Sequence, residues 1–284
     1  MGMLGWVIII TAIAGIGGTG LGGLVGALFK KNTEKSVSLL LSFAGGVMLS
    51  VVCFDLLMDA MNQFDDATMN LLIVIGMVLV GYGVIYILNF WIDRATNHEV
   101  AHIDNKHPKT ADQLSELIHS DHFEEHKKKK TVADLFIGGV VMACAIALHN
   151  LPEGMVIGGS YANDGVVGFT LTGGLTMAIV IGLHNIPEGM SVAVPLIAGG
   201  MNRVRAVLIT AATGAPTIIG AIIGYYLGEA GPLSMVLSLS FASGAMLYVV
   251  FGELLPEAIL MWRSKAPSLG MLIGVLTGLL IIYA

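Results

Sequence analysis

Apolar residues gather in eight long runs, and polar residues are held to the connections between them. A helix needs about 20 apolar residues to cross a bilayer. On that measure the runs predict spans at about 4 to 29, 36 to 61, 69 to 92, 132 to 160, 166 to 196, 204 to 228, 233 to 261 and 267 to 284. The expected fold class is all-α, a polytopic membrane protein with eight transmembrane helices. Residues 1-93 hold helices one to three, 94-131 a polar cytoplasmic loop and 132-284 helices four to eight, all in a single membrane domain. The first run has no basic leader and no small-residue cleavage pattern, and it is longer than the apolar core of a secretion signal, so it reads as a retained span.

Charge then orients the spans. Lys30, Lys31 and Lys35 follow span one; Arg94, Lys106, Lys109 and Lys127 to Lys130 follow span three; Arg203 and Arg205 follow span five; Arg263 and Lys265 follow span seven. These are all 14 basic residues, while the alternate connections carry Asp65, Asp66, Asp164 and Glu229 and no Lys or Arg. By the positive-inside rule the basic connections are cytoplasmic and both termini lie outside. A hydrophobic fraction of 55%, a charged fraction of 12% and a mean hydropathy of +0.83 leave too little polar surface for a soluble domain. The membrane surface accounts for the basic residues, so no nucleic-acid partner is expected. Cys53 and Cys144 both lie in apolar runs and read as small buried residues.

Two internal repeats divide the chain further. Residues 42 to 60 of span two align without gaps on Ser240 to Ala258 of span seven, with eleven of 19 positions identical. Because one span runs inside to outside and the other outside to inside, the copies are antiparallel. An inverted repeat of this kind is characteristic of secondary transporters whose halves rock about a central site. The second repeat is shorter. His149-Asn150-Leu151-Pro152-Glu153-Gly154 recurs 35 residues later as His184-Asn185-Ile186-Pro187-Glu188-Gly189, in spans four and five.

These motifs bring ionisable groups to membrane depth. Asp55, Asp59, Glu153, Glu188, Glu253 and Glu257 all fall within spans, and at roughly 2.5 to 3.5 kcal/mol each such carboxylates must be paired, ligated or wet. A lone histidine on an apolar helix is usually a hydrogen-bonded core residue. Here, however, each motif places His and Glu four positions apart, which stacks them on one helical face. His149 and Glu153 facing His184 and Glu188 make a cage of two imidazoles and two carboxylates, a donor set that suits zinc and its neighbours. Pro152 and Pro187 remove N–H groups beside the histidines and predict kinks with freed carbonyls at Leu148 and Leu183. Asp55, Asp59, Glu253 and Glu257 either line an ion's path or make polar contacts between the repeat halves.

Paired H-N-x-P-E-G motifs in the fourth and fifth of eight spans, a His-rich loop after span three and outward termini resemble the ZIP (ZRT/IRT-like) divalent-metal transporters, specifically the bacterial branch. The resemblance implies a secondary transporter, not an enzyme. It would move Zn²⁺, and also Fe²⁺, Mn²⁺, Co²⁺ or Cd²⁺, into the cytoplasm across a bacterial inner membrane, with divalent metal as cargo and no resident cofactor. It places the primary site among His149, Glu153, His184 and Glu188 with Met48 as a soft extra contact. It also places an adjoining site at Asn150 and Asn185, bridged by the two glutamates. Spans one, four, five and six would carry the site against a scaffold of two, three, seven and eight. Assembly as a homodimer is left open.

The chain departs from the family pattern at one point. Many members carry acidic residues just after the span-five histidine and just before the span-six proline, where this chain has Asn185 and Ala215 before Pro216. Two carboxylates balance one divalent cation, whereas a second cation would leave two surplus charges in a low-dielectric bundle, so a single metal is expected. The loop holds His98, His102, His107, His119, His122 and His126, and reads either as a linker or as a cytosolic metal buffer. Two other functions stay open on the residues alone: a metal exporter with the same ligands, and an intramembrane metal-dependent hydrolase. The hydrolase would need a general base outside the ligand set and an open position for water.

Overall fold

The computed structural model describes residues 2–28, 33–63, 67–96, 132–164 and 173–283, and among them there are helices and turns but no strand. Eight helices form: α1 (Met3–Leu28), α2 (Lys35–Met61), α3 (Ala67–Thr96), α4 (Val132–Asp164), α5 (Gly173–Ala198), α6 (Arg203–Glu229), α7 (Pro232–Met261) and α8 (Ala266–Tyr283). Seven of them are long and apolar enough to cross a bilayer by length and composition, and α4 carries the first motif. In hydrocarbon every backbone N–H and C=O must be satisfied within its own segment, so apolar runs of this length fold as helices. Most of the 94–131 loop lies outside the described residues, as do 165–172, while α3 continues to Thr96, past the expected end of span three.

Short connections set neighbouring helices side by side. Gly200 (φ 87°) and Gly231 (φ 123°) occupy backbone conformations that side-chain-bearing residues rarely adopt, and they make the α5–α6 and α6–α7 turns. Asn202 caps α6 by accepting from Val204 N–H at 2.9 Å. The prolines at 152, 187 and 195 lie inside helices that continue past them. Irregularity appears elsewhere, as π turns at Ile13–Gly17, Val52–Leu56 and Val249–Leu254 and as a break in α6 between Thr213 and Pro216.

Packing separates the helices into two groups. In the first, α4 lies against α5 and the second half of α6, and α1 lies against α5 and the first half of α6. In the second, α2 packs on α8 and α7 on α3. The groups meet where α7 crosses α4 and α2 crosses α5. Glycines permit the close contacts. A methyl group added at Gly46 of α2 would collide with the Met271 carbonyl of α8, and one added at Gly244 of α7 with the Val78 carbonyl of α3. In the first group, added methyls at Gly22 and Gly220 would strike the Ile186 and Leu151 carbonyls. Gly46 and Gly244, and likewise Gly22 and Gly220, are 198 residues apart, the offset of the span-two and span-seven repeat, and Leu151 and Ile186 are 35 apart, the offset of the motifs.

Outward faces are apolar. Leu72, Leu79 and Trp91 of α3 and Leu276 and Leu280 of α8 are exposed, as suits side chains turned to lipid. Cys144 is exposed as well and Cys53 only partly buried, which corrects the reading of both as buried residues. A thiol is apolar enough to face acyl chains.

Backbone contact at glycine generates a stability prediction. Gly46→Ala and Gly244→Ala should each lower the stability of the detergent-solubilised protein by about 1–3 kcal/mol through overpacking. Gly76→Ala, where an added methyl meets nothing within 4 Å, should be neutral. Thermal melts of the three variants check it.

Candidate metal centre

α4 and α5 lie side by side and deliver the two motifs to one point. His149 and Glu153 face across to His184 and Glu188, and all four side chains are buried, at 0 to 3% exposure. The glycine that ends each motif serves the neighbouring helix. An added methyl at Gly154 would collide with the Thr217 carbonyl of α6, and one at Gly189 with the Thr19 carbonyl of α1. Each motif thus carries its buried ionisable groups and its packing contact in six consecutive residues.

The four groups are paired across the helices, not along them. His149 Nε2 lies 3.1 Å from Glu188 Oε2, and His184 Nε2 lies 2.7 Å from Glu153 Oε1. One donor atom each from His149, Glu153 and Glu188 falls within 4.8 Å of the others, a spacing that could hold a metal ion. His184 is not among the residues that meet this spacing and adjoins the group through its contact with Glu153. An isolated buried carboxylate would be costly, and the crossed pairs offset that cost with imidazole.

Two asparagines follow the histidines and have different roles. The Asn185 amide sits between the glutamates, and the orientation that satisfies it brings Nδ2 to 3.1 Å from Glu153 Oε2 and 3.2 Å from Glu188 Oε2. Asn150 Nδ2 donates to the Thr213 carbonyl at 2.8 Å. That carbonyl is exposed by the α6 break, where Pro216 has no N–H and the Thr217 N–H turns to Gly214 O instead. Buried acceptors remain unsatisfied around the site: Glu188 Oε1 and Asn150 Oδ1 have no hydrogen-bond partner. Unpaired buried oxygens beside two imidazoles are a donor set that a divalent cation would complete.

The other residues singled out from sequence are distributed along α2 and α7. Met48 is buried in the main apolar core, as is its counterpart Met246. Asp55 lies partly buried in the α2 π turn. Asp59 is exposed and lines a small pocket with Ser160 and Asn163 of α4. Glu257 is partly buried on the last turns of α7. Glu253 reaches furthest inward, with Oε2 3.4 Å from His149 Nδ1, close enough for an ion pair although outside hydrogen-bond geometry. Sequence reasoning did not single out the Thr213 carbonyl. The signal was Gly214-Ala215-Pro216, a helix-breaking run inside span six.

A family model described as ZIP Zinc transporter matches residues 5–283. Among curated relatives, a zinc transporter ZupT of Akkermansia muciniphila is 30% identical over 276 residues, covering 95% of this chain and 94% of its own. A zinc transporter ZupT of Chlorobium chlorochromatii is 30% identical over 253 residues, covering 88% of this chain and 86% of its own. A zinc transporter ZIPB of Bordetella bronchiseptica is 28% identical over 267 residues, covering 94% of this chain and 77% of its own.

The Asn150 bond generates its own prediction. Asn150→Ala strands the Thr213 carbonyl in a buried setting, which should cost about 1–3 kcal/mol of stability. Asn150→Ser keeps a donor of shorter reach and should recover part of the loss. Thermal melts of both variants without added metal measure the effect apart from transport.

Proposed function

The chain belongs to the ZIP zinc transporter family, and on that premise we propose that it carries Zn²⁺ toward the cytoplasm through a site made by His149, Glu153, His184 and Glu188. The observation that carries this reading is the crossed His–Glu pairing, with all four groups buried in one cluster. Each imidazole can exchange its carboxylate partner for a cation, and each carboxylate is then held by the same cation. Glu188 Oε1 and Asn150 Oδ1, buried without partners, are further oxygens within the same region of α4 and α5. Asn185 holds the two glutamates together by hydrogen bonds and gives way when a cation takes that role.

Charge sets the number of ions. The motif carboxylates supply two negative charges, which one divalent ion neutralises. A second ion at Asn150 and Asn185 would bring two uncompensated positive charges into a low-dielectric interior. Met48 fits best as a neighbour of the site in the α2 core, with a soft thioether that favours Zn²⁺ or Cd²⁺ over Mn²⁺ where it coordinates. Asp59 and Glu257, nearer the ends of their helices, suit the ion's path to and from the centre.

Orientation follows from charge: with the basic connections in the cytoplasm, both termini face outward. The 198-residue correspondence between α1–α2 and α6–α7 contacts supports an inverted repeat in which the two helix groups rock about the site. All four ligands come from one chain, so a single copy carries a whole transport site. A hydrolase is the weaker reading, because both motif carboxylates are already paired with imidazoles and the family is one of transporters.

Zinc uptake into proteoliposomes tests the site. Glu153→Ala and Glu188→Ala should abolish radioactive zinc uptake while membrane insertion stays normal, since a carboxylate kept for an ion is a cost to the empty fold. Normal uptake by either variant would overturn the assignment. Metal counting on protein with the six loop histidines changed to Ser should find one tightly bound zinc per chain. Two equally tight ions would refute the charge argument.

A further inference from the structure

The transport reading raises the question of how the second helix group senses the ligands, and two ring nitrogens answer it. A histidine that ligates through Nε2 carries its proton on Nδ1, and it ordinarily gives that proton to a carboxylate or carbonyl that fixes the ring plane. Neither Nδ1 has a partner in hydrogen-bond geometry, but the two rings differ in what stands beside them. Glu253 Oε2, on α7 across the seam between the helix groups, lies 3.4 Å from His149 Nδ1, at ion-pair distance. Among the described residues no carboxylate comes within ion-pair distance of His184 Nδ1.

The repeats point to the missing acceptor. Glu253 lies in the π turn Val249–Leu254, and the residue 198 positions earlier is Asp55, in the π turn Val52–Leu56. Asp55 stands on α2, which crosses α5 as α7 crosses α4. His149 and His184 are themselves counterparts, 35 residues apart. The contact between Glu253 and His149 therefore has an image, Asp55 with His184, in which His184 Nδ1 takes no part here. A π turn widens the helix by one residue and is a recurrent device at functional sites. In a protein of antiparallel copies, the state open to one side becomes the state open to the other when the copies exchange arrangements.

We propose that Glu253 and Asp55 are repeat-related positioning residues that serve the transport site in turn. Glu253 holds His149 in the conformation described here, and Asp55 moves to His184 Nδ1 when the bundles rock to the opposite-facing state. Each carboxylate keeps its histidine's Nε2 aimed at the ion only while the site faces one side. The scaffold thereby sets the affinity presented to each compartment.

The inference rests on the transport reading, and zinc flux measured separately from each face of orientation-sorted proteoliposomes distinguishes the two. Glu253→Ala should raise the half-saturating zinc concentration about 10-fold or more at one face, and Asp55→Ala at the other, as expected for loss of a group that orients a metal-binding histidine. Glu253→Gln and Asp55→Asn keep an oxygen acceptor and should recover most of the loss, which a purely charge-based role would not allow. Asp55→Glu, which lengthens the reach and keeps the charge, should lower half-saturation at the Asp55 face alone, and it decides the matter should an alanine variant fail to fold. Effects at the same face, or none at either, overturn the proposal. Absence of zinc flux in the unaltered protein would instead overturn the transport reading.

Discussion

Two histidines and two glutamates are buried together at membrane depth, and the rest of the molecule is arranged around the cost of keeping them there. A single ionised carboxylate in hydrocarbon is expensive enough to oppose insertion. Pairing within one motif would leave each helix self-contained and indifferent to its neighbour. The crossed pairs, His149 with Glu188 and His184 with Glu153, join α4 to α5 instead. The ionisable groups therefore specify the helix pairing as well as the chemistry, and neither helix satisfies its polar groups without the other.

Close helix approach is the second requirement, and glycine supplies it where a polar network needs to be tight. Association in a bilayer gains little from apolar burial, because lipid tails are as apolar as leucine, so contact depends on small residues and internal polar bonds. The added-methyl collisions at Gly22 and Gly220 involve carbonyls of the motifs themselves, and those at Gly154 and Gly189 involve carbonyls of the helices packed against them. Those at Gly46 and Gly244 tie α2 to α8 and α7 to α3. The two groups meet where α7 crosses α4 and α2 crosses α5, and on the proposed transport reading that seam is where relative motion would fall.

Much of this was legible in the sequence, for identifiable reasons. Hydropathy located all eight helices because span length is fixed by bilayer thickness, and the duplicated motif marked the buried His–Glu cluster because ionisable groups are rare at that depth. Four features were not legible. Crossing of the His–Glu pairs depends on which faces of α4 and α5 meet, which a four-residue spacing within one helix does not encode. The π turns and the break after Thr213 lie at positions away from Pro152 and Pro187, the breakers that the pattern did mark. The hydrogen bond from Asn150 to the Thr213 carbonyl joins positions 63 residues apart, a tertiary contact that local pattern does not reveal. Glu253 was visible as a carboxylate within a span, but its approach to His149 follows only from the packing of α7 on α4.

Self-pairing also bears on affinity. On the proposed assignment, an ion entering the centre would displace two His–Glu contacts and the Asn185 hydrogen bonds, so its net binding free energy would be the ligand–ion gain less the cost of breaking them. A binding protein would be weakened by this subtraction. A transporter gains from it, because a permeating ion must be held firmly enough to enter and loosely enough to leave. Neutral Asn185 contributes to the same balance: it bridges the carboxylates of the closed site yet adds no charge to hold the ion back. The residues that lower the cost of the empty fold are therefore the ones that let the ion go.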